Sequence, residues 1–418
     1  MAPVNDHIGP EFRAAFPTWD AFTAYVASRA TTPEYDPARA LHQIVAADFG
    51  QRLEAAGDHE WVLMGSLTLP GRASTEHPPR GFGQWTPGAG VDPVYRAARR
   101  ANDLDMSALD LARPDAAEEE RIYGPTIAGE IEQITSATDE RGIGLGGLVR
   151  YSVEGSLTTS PNVKGVVKAQ PVDPRYGPNS TVPVGDPILL TIDIKPPRKV
   201  APTTAPLRSS RPVVAVDIPG MRPYLPLLHP TINQLADKVT ALVGPAVSLR
   251  HLPGGPHHRY KDLFDITYML NTAAIQAGPM RHAVLNNWGM SARLGITDLP
   301  EPYQIYGTAP GQPAIPWEEM TEQMRQKQPE LRMYPSFSEM SRQLSEFADG
   351  LKHARPEDVW RPGQGWTRGP VATRDSTVNL RKAVRRGTAR GTGRRPSGPD
   401  APRNRRNPGE GGPPRSTL

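Results

Sequence analysis

An α+β fold is predicted for this 418-residue chain, because its hydrophobic pattern changes period twice. Helical spacing holds to about residue 56. Short β-branched runs lie between Trp61 and Ile194. From Thr231 to about His353 the stripes are helical again. Helices, then strands, then helices describe an α+β domain followed by a helical one.

The first helix is expected over Phe12 to Arg29. A second is better marked: Asp36 is a good N-cap, Pro37 suits the first turn, and Gly57 can end it in the left-handed conformation. Its apolar residues Leu41, Ile44, Val45 and Phe49 share one face. Trp61 to Met64 reads as a short strand running into Gly65-Ser66, and the Gly/Pro-rich stretch after it as a loop. Asp103 to Leu109, Tyr151 to Leu157, Val163 to Ala169 and Pro187 to Ile194 read as strands. Arg121 to Gly144 is ambiguous, and Pro196 to Pro212 reads as a linker. Ile232, Leu235, Val239 and Leu242 form one helical stripe. A second runs over Lys261 to Gln276. Ser336 to Glu339 is a capping box opening the last helix.

Four segments follow. Residues 1–35 are an N-terminal helical extension. Residues 36–212 are the sheet-bearing domain, with 67–102 as an inserted loop. Residues 213–360 are a helical domain, and 361–418 a disordered basic tail. From Arg361 onward there are 14 Lys+Arg against 3 Asp+Glu, a net of +11, while the whole chain carries only +4. The body is therefore acidic, at −7. From Pro362 the chain has almost no large apolar residues and cannot offset its ordering entropy.

Composition excludes several classes. There is no Cys, so disulfides, thiolate metal sites and a Cys nucleophile are out. No apolar run is long enough to span a membrane. The N-terminal segment has no basic-then-apolar signal pattern, so a cytoplasmic location is expected. Gly142 to Gly147 satisfies G-x-G-x-x-G, but no strand precedes it and no helix follows, so it reads as a turn. The His257-His258 pair has no second pair at ligand spacing. Ser66 lacks the G-x-S-x-G elbow of a hydrolase nucleophile.

The chemistry gathers around Gly65-Ser66 and Asp103-Leu104-Asp105. Alternation along a strand puts Asp103 and Asp105 on one face. Two such carboxylates can share Mg²⁺ (or Mn²⁺), which takes oxygen ligands together with substrate phosphates. A Gly-Ser turn lets backbone N–H groups approach a triphosphate, and the Ser hydroxyl adds a donor. Asp193, flanked by β-branched residues, is the best third carboxylate. The bland alternative is a solvated strand edge.

Trp61 to Ser66 and Arg100 to Asp105 resemble the opening motifs of the AbiEii/AbiGii-type nucleotidyltransferase toxins, of the polymerase-beta nucleotidyltransferase superfamily. Leu235 to Ala241 resembles that family's helical lysine motif, and Arg259 to Asp265 its Arg-x-Lys-Asp-x-x-Asp motif. The resemblance covers about residues 35 to 353. It implies a polymerase-beta-like sheet-and-helix domain followed by a helical one. It also implies NMP transfer from an NTP to an acceptor, for some relatives the 3′ end of tRNA, in a toxin–antitoxin or phage-defence setting. An antitoxin partner would then be encoded by a neighbouring gene.

The residues implied are Asp103 and Asp105 as metal ligands, and Asp193 and Asp262 as further catalytic carboxylates. Gly65, Ser66, Lys238, Arg259 and Lys261 would hold nucleotide, and Asp265 would orient its neighbours. One departure matters: 36 residues separate Ser66 from Asp103, where the family keeps them much closer. Two alternatives stay open. The same site could serve a small-molecule or protein hydroxyl, which the acidic body favours. The chain could also be a non-catalytic binding protein that retained the fold.

Overall fold

Eight strands form one mixed sheet, and the site depends on the order in which they pair. The computed structural model describes residues 7–57, 59–73, 91–101, 103–113, 115–136, 143–160, 162–177, 179–197, 205–243, 260–289 and 317–369. The chain divides into two units, Met1–Pro370 and Val371–Leu418, and all described residues belong to the first. Arg259, the His257-His258 pair and half of the 67–102 insert (74–90 and 102) lie outside the described residues, as does the tail from residue 370.

The strands are β1 (Trp61–Leu63), β2 (Asp103–Ala108), β3 (Ile143–Gly144), β4 (Val149–Thr158), β5 (Val163–Pro171), β6 (Ile188–Ile194), β7 (Leu207–Arg208) and β8 (Leu227–Leu228). Their order is β3-β4-β5-β6-β2-β1-β8-β7. The β2–β6 and β1–β8 pairs are parallel and the others antiparallel. A β-bulge interrupts β4 between Glu154 and Thr158. The architecture is mixed α/β and compatible with α+β.

Helices α1 (Pro10–Ala15), α2 (Trp19–Arg29), α3 (Pro37–Ala56) and α6 (Ala116–Ile134) share one apolar core with the sheet. Asp36 caps α3 by accepting from Arg39 N–H, as its position predicts. The expected single first helix is instead two. Pro17 disfavours helical geometry at Phe16, and Thr18 starts α2 by accepting from Ala21 N–H. Gly57 is extended (φ −126°, ψ 161°), not left-handed. A Cβ there would sit 2.8 Å from Glu130 Oε1, the end of a side chain that could shift to admit it. The ambiguous 121–144 stretch is largely α6, which Asp115 caps and which runs through Pro125.

A second core joins α7 (Thr231–Val243), α8 (Tyr260–Thr272), α9 (Ala277–Gly289), α10 (Trp317–Lys327) and α11 (Phe337–His353). The capping box at Ser336 and Glu339 is formed at the start of α11. The 67–102 segment, expected as a loop, carries two short helices, α4 (Leu69–Arg72) and α5 (Pro93–Ala97), whose apolar side chains also enter this core. Helix α8 is buried on nearly all sides, Asp262 and Asp265 included, and ends at Thr272, earlier than its stripe implied. Ile275–Gln276 (β9) then pairs with β10 (Val359–Arg361), which pairs with β11 (Gly365–Thr367).

That hairpin corrects the tail boundary. Residues 361–369 are ordered because Trp366 stacks on Phe347 and donates its indole N–H to the Phe347 carbonyl. Two other segments also cross the expected divisions. Phe12, Phe16 and Phe22 of the N-terminal extension pack in the sheet core, as do Val213, Val216 and Ile218. In each case the apolar side chains follow the nearest core rather than the position along the chain. The expected linker contributes β7, which pairs with β8 at the sheet edge.

Candidate functional site

Burial in β2 alternates. Leu104 and Met106 enter the core, while Asp103 and Asp105 face a cavity of about 440 Å³. In the parallel β2–β6 pair, Asp105 is the direct register partner of Asp193. Neighbouring strands lie about 4.8 Å apart, so the two side chains rise side by side. The third carboxylate read from the sequence thus stands next to the first two.

The cavity lies where the sheet meets α7 and α8. It is lined by Met64, Gly65, Ser66, Arg99, Asp103, Asp105, Asn162, Lys164, Asp193, Lys195, His229, Gln234, Asp237, Lys238, Lys261 and Asp262. Gly65 adopts φ 70°, ψ −167°, a conformation essentially confined to glycine. Its α-carbon lies against Asp105, and a Cβ there would overlap Oδ2 of that residue. The turn is held by Gln234, whose Nε2 donates to the Gly65 carbonyl at 3.0 Å. Thr68 Oγ1 donates to the same carbonyl at 2.7 Å.

Behind the turn is a buried charge cluster. Asp265, fully buried on α8, accepts from Ser66 Oγ at 2.8 Å and from Lys238 Nζ at 2.6 Å. Arg99 forks onto it through Nε (3.0 Å) and Nη2 (3.1 Å), and Nη2 also donates to Ser66 Oγ. Lys238 additionally donates to Asp262 at 2.9 Å. Burial alone would raise Asp265, but the Arg99 and Lys238 charges outweigh it and hold the carboxyl well below the usual range. Lys238 is pulled down by burial and pushed up more strongly by Asp262 and Asp265, so it stays charged.

This cluster changes the expected roles. The Ser66 hydroxyl is committed to Asp265 and Arg99, so it braces the turn. Lys238 is held by two carboxylates. Asp262 is buried as the partner of Lys238. Asp265 accepts from Ser66, Arg99 and Lys238 together. Asp193 accepts from Asn162 Nδ2 at 2.7 Å and pairs with Lys164 at 3.3 Å. Lys261 lines the cavity.

Sequence reasoning passed over Arg99, Asn162, Lys164, Lys195, Gln234 and Asp237. Two of these carried a readable signal. Lys195 continues the alternation of Asp193 on one strand face, and Gln234 precedes Lys238 by one helical turn.

Asp105 is raised to about 6. Burial is the main cause, Lys195 opposes it, and the charges of Asp103 and Asp193 add to it. Neither Asp103 nor Asp105 makes a side-chain hydrogen bond among the described residues. A pair of crowded, under-compensated carboxylates suits a divalent cation. Among the described residues, no group of three or more His, Cys, Asp or Glu has metal-ligand spacing. Mg²⁺ needs no such cage, since it uses one or two carboxylates with substrate phosphates and water. Asp103 and Asp105 fit that donor set, whereas Asp193 is engaged by Asn162 and Lys164.

No protein-family model matches the chain, and a search of curated proteins gives no match. Among the described residues no helix is long and apolar enough to cross a membrane.

Proposed function

We propose that this protein is a Mg²⁺-dependent nucleotidyltransferase that transfers NMP from an NTP to an acceptor hydroxyl. The observation carrying this reading is the pairing of Asp105 with Asp193 beside Asp103, with the Gly65 turn against Asp105. A triphosphate needs a divalent ion, a turn of close-approaching backbone and cationic side chains within one cavity, and this cavity can supply all three. The motif resemblance adds a polymerase-beta-like fold and a toxin of the AbiEii/AbiGii type. In that setting the acceptor is the 3′ end of tRNA or another RNA, and a neighbouring gene encodes an antitoxin.

In this reading Asp103 and Asp105 hold the metal, which would neutralise phosphate charge and lower the barrier to attack at the α-phosphate. Gly65 brings backbone against the nucleotide. Asp193, kept polar by Asn162 and Lys164, stands ready to accept the acceptor proton. The Arg99–Asp265–Lys238 cluster fixes the turn against α7 and α8. Catalysis is then mostly positioning and charge neutralisation.

Incubation with α-labelled NTPs, Mg²⁺ and total RNA tests the reading. Wild type should label RNA, and Asp105→Ala should not while remaining folded. Equal labelling by Asp105→Ala would reject the site. The acidic body favours a second acceptor class, a small-molecule or protein hydroxyl. Label appearing in that fraction of a lysate instead of RNA would select it.

A further inference from the structure

The cations lining the cavity are not equivalent. Arg99 is forked onto Asp265, Lys238 is shared between Asp262 and Asp265, and Lys164 pairs with Asp193. A phosphate reaching Lys238 must compete with two carboxylates already bonded to it. Lys195 and Lys261 differ: among the described residues neither has an ion-pair or side-chain hydrogen-bond partner, and of the two only Lys195 continues the strand that carries Asp193.

Its position is fixed all the same. The Lys195 N–H donates to the Met106 carbonyl at 2.9 Å, continuing the β2–β6 ladder by one residue. Its carbonyl accepts from Tyr123 Oη at 2.7 Å. Pro196 and Pro197 follow, and proline cannot donate to a ladder, so the pairing ends there. Two residues beyond Asp193, the Lys195 side chain leaves the same strand face into the same cavity.

We infer that Lys195 is a substrate-binding residue of this site, contacting the phosphates of the incoming nucleotide through an ammonium that no carboxylate holds in an ion pair among the described residues. This rests on the nucleotidyltransferase reading and adds to it a residue outside the family-like motifs. A phosphate contact is blind to the base, so its loss should weaken all nucleotides alike. A protein-bound ammonium beside under-compensated carboxylates could also serve only to temper their repulsion. Its removal would then leave phosphate affinity unchanged.

The test is calorimetric titration of the full chain with ATP, GTP, CTP, UTP and inorganic tripolyphosphate, each with Mg²⁺. Lys195→Met should weaken every ligand that wild type binds by the same factor, about 10- to 100-fold, the scale of one hydrogen bond to a charged group. Lys195→Arg should recover most of the affinity, and Lys168→Met, farther along β5, should bind like wild type. Since Lys195 makes no ion pair or side-chain hydrogen bond among the described residues and acts on Asp105 only through space, Lys195→Met should stay folded with a melting temperature close to that of wild type. Unchanged affinity in Lys195→Met overturns the assignment and leaves the nucleotide reading intact. Wild type binding neither nucleotide nor tripolyphosphate rejects both.

Discussion

Gly65 has no room for a side chain because Asp105 occupies the space a Cβ would need. The turn and the carboxylate pair are therefore in direct contact, even though 36 residues lie between Ser66 and Asp103. The described parts of the insert pack into the second core through Leu69, Ala73, Val94 and Ala97. Gly65→Ala combines a φ of 70° with steric overlap at Asp105. It should cost about 1–3 kcal/mol of stability and remove nucleotidyl transfer. Denaturant unfolding and a labelling assay check this, and a variant of wild-type stability and activity would refute the contact.

The ionisation of Asp105 is a charge the fold opposes. Its pKa is raised to about 6, so the protonated form is favoured in the folded state. The associated stability is fully present below the unfolded value near 3.8 and is lost as pH rises through about 6. Asp105→Asn should therefore melt higher than wild type at pH 8, with the difference vanishing below about pH 4. Mg²⁺ should raise the wild-type melting temperature more at pH 8 than at pH 5. Equal melting of the two proteins at pH 8 would show that the carboxylate is not crowded.

Ser66 and Asp265 separate architecture from chemistry. Ser66→Ala removes two hydrogen bonds, one to Asp265 and one from Arg99, and leaves Asp265 with Arg99 and Lys238. A loss of about 1–2 kcal/mol is expected, with activity reduced but present. Asp265→Asn leaves two buried cations under-compensated and should cost about 3–5 kcal/mol. Equilibrium unfolding of both variants measures the contrast. If Ser66→Ala abolished transfer at full stability, the hydroxyl would be a substrate group after all.

His59 provides a pH handle away from the site. It bridges Asp110 (2.9 Å), just after β2, and Glu130 (2.7 Å) on α6. Burial lowers its pKa, but the two carboxylates outweigh that and the net shift is upward. The stability it contributes is complete below about 6.5 and declines as pH rises through the folded value. His59→Gln should flatten the pH dependence of the melting temperature on that side of neutrality. An unchanged profile would deny the coupling.

The hairpin defines where the chain can be shortened. Ending it after Gly369 should leave the melting temperature unchanged. Ending it after Trp360 removes β11 and the Trp366 stack on Phe347, and should lower it by several degrees. If the basic segment beyond 369 contacts RNA phosphates, the first truncation should also reduce the salt dependence of RNA binding.

Local features were legible because backbone geometry imposes them within a few residues. The period-two pattern of Asp103 to Met106 placed two carboxylates on one face and two apolar side chains in the core. The Asp36 cap and the Ser336 capping box are similarly short-range. Gly57 was misread because the path of the chain beyond a helix, not the helix itself, decides whether its end turns left-handed. Residues 361–369 looked unstructured because what orders them is the Phe347 surface of another element.

The chain by itself determined which side chains could do chemistry and which face of each strand would carry them. Tertiary structure alone decided that β6 lies beside β2, so that Asp193 meets Asp105. It also decided that Ser66 is spent on Asp265, 199 residues away, while Lys195 makes no ion pair among the described residues. The physical reason is range. Periodicity and capping are settled by neighbours a few residues apart, whereas the pairing of buried charges depends on which distant segments the closing cores bring into contact.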